Sequence, residues 1–241
     1  MSDDFIKRMH ERLAEMRRRD RTIFPRRNWV DTLVDALEKD NHTTWGLIIY
    51  RTSYSNNQAW SQFLQKLNEE TREEFEEHNG LDVLEQKANT IMDDAAQFDG
   101  MSSLDIREHC KKWVADNYAR EQGRPPADSI FPYGGAPRYR YAVQIDEEVL
   151  TTMTRLDFAG DAWVKLIDLE WFEDRWDRDC WSEDEDEFVE HEQERPIEGM
   201  TQEDVGWLRM WWLNIAGSRY VDLSDRNFWA VHYRRPPAIY T

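Results

Sequence analysis

Apolar residues along this chain switch between a helical and a strand period several times, and the switches divide it into elements. Phe5, Ile6, Met9, Leu13 and Met16 recur at steps of three and four, which predicts a helix over about residues 4–18. Val30, Leu33, Val34 and Leu37 form the apolar face of a second helix, opened by a capping box of Asn28 with Asp31. The period then changes. Trp45–Arg51 is apolar on both faces almost to its end, so it reads as a central strand covered on both sides. Ser55 and Gln58 supply a capping box for the long helix that follows, with Trp60, Phe63, Leu64, Leu67 and Phe75 on its inner face.

Residues 81–98 fit two patterns, a helix through Leu81, Leu84, Ala88, Ile91 and Ala95, or a short edge strand at Asn89–Met92. Ser102 with Asp105 opens a helix that turns Ile106, Cys110, Trp113 and Val114 inward. The prolines and glycines between Gln122 and Pro137 predict an irregular ordered loop, tethered by Ile130, Phe131 and Tyr133. Tyr139, Tyr141, Val143 and Ile145 alternate with polar neighbours as a strand, and Asp146 caps a short helix. Trp163–Trp171 is a further strand, with Asp168 the one acid in its apolar middle. Thr201 with Asp204 predicts a helix through Val205, Leu208, Trp211, Trp212 and Ile215. Phe228–Arg235 reads as the last strand, stopped by Pro236 and Pro237, which lack a donor.

With a helical insertion near residues 80–137 set aside, the order is strand, helix, strand, strand, helix, strand. That order predicts an α+β protein with a ferredoxin-like (split βαβ) antiparallel sheet, in which the first and last strands are antiparallel neighbours. Residues 1–43 form an N-terminal helical extension, residues 44–241 the core, and residues 171–200 an acidic aromatic loop within it.

Composition changes this picture in one direction. Thirty-one Lys plus Arg against 49 Asp plus Glu give a formal charge of -18, which disfavours duplex nucleic acid or an anionic membrane as the main partner. Twelve Trp, 9 Tyr and 10 Phe argue against global disorder despite that charge. Cys110 and Cys180 are too few for a disulfide framework, and no apolar run suggests a membrane span or a leader, so a cytoplasmic location is expected.

The charges are also patterned. Nine basic residues lie between Lys7 and Arg27, including Arg17, Arg18 and Arg19, whereas residues 168–195 carry 14 acids and three Arg with Trp171, Trp176 and Trp181 interleaved. The basic arm reads as neutralising acidic surface of its own chain or of a second subunit. The tryptophans recur every five residues, a period of neither helix nor strand, and read as an irregular contact surface. Clustered carboxylates could hold Ca²⁺ or Mg²⁺, but the segment has neither the turn glycine nor the alternation of a calcium loop.

The chain has no dinucleotide glycine fingerprint, P-loop, HExxH, zinc-spaced cysteine pair or nucleophile elbow, and no cofactor is expected. The remaining candidate chemistry gathers at two Tyr-Arg ends. Tyr50, Arg51 and Tyr54 end the first strand, and His232, Tyr233 and Arg234 lie on the last. His232 with Tyr50 or Asp168 could supply an acid and a base, or His232 could simply be hydrogen-bonded in the core. Arg51, Tyr54 and Arg234 could form an anion pocket, or the arginines could pair with this acidic chain's own carboxylates.

The stretches TWGLIIYRTSY, RYRYAVQIDEEVL, WVKLIDLEW, PIEGMTQEDVGWLRM and FWAVHYRRPP resemble a group of uncharacterised proteins of filamentous fungi. The resemblance spans Trp45 to Pro237 and implies a fungal, cytoplasmic origin; it carries no activity and no catalytic residue. Three functions compete: a non-catalytic protein-interaction or dimer-forming domain, an enzyme or binding protein for a small organic molecule with a pocket on the sheet, and an acidic mimic or modulator of a basic partner.

Overall fold

A computed structural model describes residues 27–157, 162–172, 195–213 and 215–241. Helix α1 (Trp29–Lys39) opens with the expected capping box: the Asn28 side chain accepts from Val30 and Asp31, and Asp31 accepts from the Asn28 backbone at 2.9 Å. Strand β1 (Ile48–Arg51) leads to α2 (Asn57–Glu77), a one-turn helix α3 (Leu81–Leu84) and strand β2 (Thr90–Met92). The N-cap of α2 is Asn56, one residue beyond the expected Ser55, because the Ser55 hydroxyl is turned to another partner. Short α4 (Ala95–Phe98) and long α5 (Ser103–Gln122) follow, then α6 (Pro137–Arg140), β3 (Tyr141–Ile145), α7 (Glu147–Arg155) and β4 (Trp163–Asp168). The chain ends with β5 (Trp207–Trp211), α8 (Ser218–Asp222), α9 (Phe228–His232) and β6 (Ile239–Tyr240).

The six strands form one mixed sheet in the order β2-β1-β3-β4-β5-β6. β1 is parallel to both β2 and β3, β3-β4-β5 is an antiparallel run, and β6 lies parallel to β5. Helices cover both faces. Leu47, Ile49, Val143, Leu166 and Leu208 pack with α1, α2, α7 and α8 on one side. Ile48, Tyr50, Ala142, Ile167 and Trp207 pack under α5 on the other. The helix at Trp29–Lys39, expected in an N-terminal extension, contributes Val30, Leu33, Val34 and Leu37 to the main core.

The α+β class expected from the sequence holds; the ferredoxin-like topology does not describe this sheet. Asn89–Met92 contains a real edge strand, and β3 pairs directly with β1 in parallel. Two element types also reverse. Residues expected as a helix after Thr201 form β5, because a strand covered on both faces is apolar almost throughout and shows no alternation to set it apart from a buried helix. Gly206, at φ +74°, breaks the chain just before it, and Asp204 bonds the Gly206 amide at 2.7 Å instead of capping a helix. The expected last strand, Phe228–Arg235, begins as helix α9, started by an Asp225 turn whose side chain and carbonyl accept from Asn227 and Phe228. The edge of the sheet is closed by Ile239–Tyr240. The first and last strands are therefore not neighbours.

Among the described residues no helix is long and apolar enough to cross a membrane, and no group of three or more His, Cys, Asp or Glu could hold a metal ion.

Candidate functional site

In open α/β sheets, ligands bind beyond the carboxyl ends of the strands, where successive connections leave for opposite faces. The β2-β1-β3 half of this sheet resembles such an arrangement, since α2 and α5 lie on opposite faces. The helix after β3, however, packs on the same face as α2. The loops leaving β1 and β3 therefore converge instead of opening a crevice. Ser53 donates to Glu147 at 2.5 Å, Ser55 donates to the same carboxylate oxygen, and these two hydroxyls hold Glu147 below the usual carboxylate range.

Beneath this closure Arg51, buried at the end of β1, is fully engaged. Its Nε donates to the Ser53 carbonyl at 3.0 Å, Nη1 reaches Asp93 at 3.4 Å, and Nη2 bonds Asn57. The guanidinium lies 4.3 Å from the Tyr54 ring centroid and 5.4 Å from that of Trp60, whose indole nitrogen donates to Asp93 at 3.0 Å. Burial, with Asp93 beside it, pushes the Tyr54 hydroxyl up to about 12. On the opposite face, Gln144 joins Thr52 and Ser103, and Lys165 pairs with Asp146 at 2.7 Å and Glu198 at 3.4 Å. The carboxyl end of the sheet is a tied-down rim.

The other expected residues have separate surroundings. The Tyr50 hydroxyl meets His109 Nδ1 at 2.8 Å under α5. Asp168 is buried where β4 ends; its carboxylate accepts from the Glu170 amide at 2.9 Å and its carbonyl accepts from Arg107 at 2.9 Å. Nearby Lys165 pairs with Asp146 and Arg140 with Glu170. His232 lies between Phe228 and Tyr240, tilted against both rings, at centroid distances of 5.1 and 5.0 Å. No contact joins Tyr50, Asp168 and His232 among the described residues. Arg234 bonds the carbonyl of Tyr233 at 2.7 Å and shares no partner with Arg51. Trp171 is buried under Arg107, 4.5 Å from its guanidinium, and donates to the Asp204 carbonyl. Arg17, Arg18, Arg19, Trp176 and Trp181 lie outside the described residues.

One open space lies at the opposite end of the sheet. A cavity of about 440 Å³ lies between the end of α1, the 135–137 segment and the chain from Tyr220 to Asn227. Leu33, Ala36 and Leu37 give it an apolar side. One wall carries Lys39 and Asp40 and the other Asp225 and Arg226. Asp40 accepts from the Gly135 amide at 2.7 Å, and the Arg124 guanidinium bonds its carbonyl. His42, also lining the cavity, is 4 % exposed; its Nε2 meets the Tyr118 hydroxyl at 3.1 Å, and its Nδ1 has no partner. Burial holds this imidazole neutral, with its pKa lowered to about 4.

No protein-family model, curated protein or solved structure matches this chain.

Sequence reasoning missed this cavity because its polar residues follow helix ends in unremarkable spacing. One signal was present. Gly134 and Gly135 stand together in the loop, and a Cβ on Gly134, whose φ is +66°, would run into the Asp40 carboxylate. Paired glycines mark a close backbone approach, and here what approaches is a charged side chain from 95 residues away.

Proposed function

We propose that this chain is a binding protein for a small polar molecule, held in the cavity between α1 and the Tyr220–Asn227 segment. The observation that carries the reading is the cavity itself. Its volume falls in the range of small-molecule sites, and it combines an apolar side with a few polar groups, which is how such sites fix orientation. The carboxyl-end rim supports the same reading indirectly, since Ser53 and Ser55 are taken by Glu147, and Arg51 by the Ser53 carbonyl, Asp93 and Asn57. The test is a thermal-shift screen of a metabolite library against the full chain and its Ala36→Trp variant, in which an indole fills the apolar side. Compounds that stabilise the parent protein and not the variant support the reading. A library with no such compound overturns it.

A second reading, a protein-interaction domain, is favoured by the loop tip. Ile130 is 87 % exposed, on a loop tied down by Arg226 stacked on Phe131 and bonded to the Gly134 carbonyl. An apolar side chain presented on an anchored loop is suited to a partner's pocket. Light scattering at low and high salt, with Ile130→Asp as the control, tests it for self-association: a parent protein that is monomeric throughout removes the dimer.

A further inference from the structure

Resting on the small-molecule reading, we infer that the cavity's ligand is a zwitterion, a molecule bearing an ammonium and a carboxylate on one short apolar frame. The charges lining the cavity set that requirement. Each wall offers one acid and one base adjacent in sequence, Lys39-Asp40 on one side and Asp225-Arg226 on the other. Arg226 is held by the Phe131 ring and the Gly134 carbonyl, neutral partners that position its guanidinium without cancelling its charge. One oxygen of Asp40 is taken by the Gly135 amide and one of Asp225 by the Asn227 amide. Among the described residues, what stays open is the Lys39 ammonium, which is exposed and makes no ion pair, and the second oxygen of each carboxylate.

A ligand with a single charge would satisfy one of these groups and leave the opposite one facing it. A ligand carrying both charges can place its ammonium against the carboxylates and its carboxylate against Lys39, with the methylene frame over Leu33 and Leu37. Neutral His42 adds no charge to that balance and offers a hydrogen-bonding nitrogen behind the wall. The net charge of -18 repels a free anion, so a ligand that brings a carboxylate to Lys39 approaches more readily if it carries an ammonium as well.

The experiment is isothermal titration of the full chain with glycine, 4-aminobutanoate and 6-aminohexanoate, with butylamine and butyrate as single-charge controls. At least one amino acid is expected to bind, and both controls to bind at least about tenfold more weakly, the loss of one charge-assisted contact. Lys39→Gln, an exposed change, and Asp225→Asn, which keeps the oxygen that accepts from Asn227, should each weaken the amino acid by about the same factor. Butylamine or butyrate binding as tightly as the amino acid overturns the inference, and so does indifference to both variants. If none of these probes binds while the library screen gives a compound sensitive to Ala36→Trp, the zwitterion fails and the small-molecule reading stands. If no compound is sensitive to Ala36→Trp, both fall.

Discussion

Arg138 and Glu121 meet face to face, Nε donating to one carboxylate oxygen at 2.9 Å and Nη2 to the other at 2.6 Å, with the arginine side chain only 1 % exposed. The same guanidinium donates to the Ala88 carbonyl at 2.6 Å and the Thr90 hydroxyl at 2.7 Å. A residue just before β3 thus reaches past β1 to fix the segment that becomes β2.

Removing the carboxylate should be severe, because it leaves a buried guanidinium without its counter-charge. Glu121→Ala is expected to cost about 3–5 kcal/mol in urea unfolding. The Arg138 bond holds Glu121 below its ordinary range against the opposing effect of burial. Its contribution is therefore complete above the ordinary carboxylate pKa and is lost as pH falls through the lowered one. The acid limb of the stability profile should shrink in Glu121→Gln.

His42 predicts a second, higher limb of that profile. Its folded pKa of about 4 lies below the ordinary 6.5, so the unfolded chain takes up a proton first. Stability is full above about pH 6.5 and declines by up to about 1.4 kcal/mol per pH unit between there and about pH 4. Denaturation midpoints measured from pH 7.5 to 4 should show this slope in the parent protein and lack it in His42→Gln.

Arg51→Lys should lose about 2 kcal/mol despite keeping the charge. The planar fork reaches Ser53, Asp93 and Asn57 at once and lies against Tyr54, and one ammonium cannot reproduce that set. Retained stability in urea unfolding would show that Arg51 does not hold the β1 loop.

Gly206→Ala should cost more than about 2 kcal/mol. The backbone there sits at φ +74°, and a Cβ would lie 2.7 Å from the Trp171 ring and against the Arg107 guanidinium. Thermal unfolding checks this, and near-ultraviolet circular dichroism should register the displaced Trp171.

Much of the fold was legible wherever a local rule acts alone. Asn28, Ser102 and Asp146 cap the helices their spacing predicts, and Ile145 and its alternating neighbours form a strand. Legibility ended where tertiary context decides. Trp207–Trp211 is covered on both faces, so its apolar run carries no strand period. Phe228 and Trp229 are buried beneath Tyr141, and neighbouring aromatics look strand-like whether the backbone is extended or helical. The candidate site was less legible still. Arg51 and Tyr54 do lie together at a strand end, but the groups that satisfy Arg51 come from the loop, α2 and the residue after β2. Asp40 and Asp225 belong to one cavity only because α1 and the chain after α8 fold against each other.

The mixed direction of the sheet also bears on how the chain folds. β3 and β4 pair antiparallel across one short helix, so their contact closes a modest loop. The parallel contact of β1 with β3 instead joins Ile49 to Val143, a closure of some 90 residues that must wait for α5 to return the chain. The β3-β4 pair should therefore assemble early and β1 late, which makes β1 and its edge neighbour β2 the part of the sheet whose exposed apolar surface persists longest on a ribosome or after dilution from denaturant.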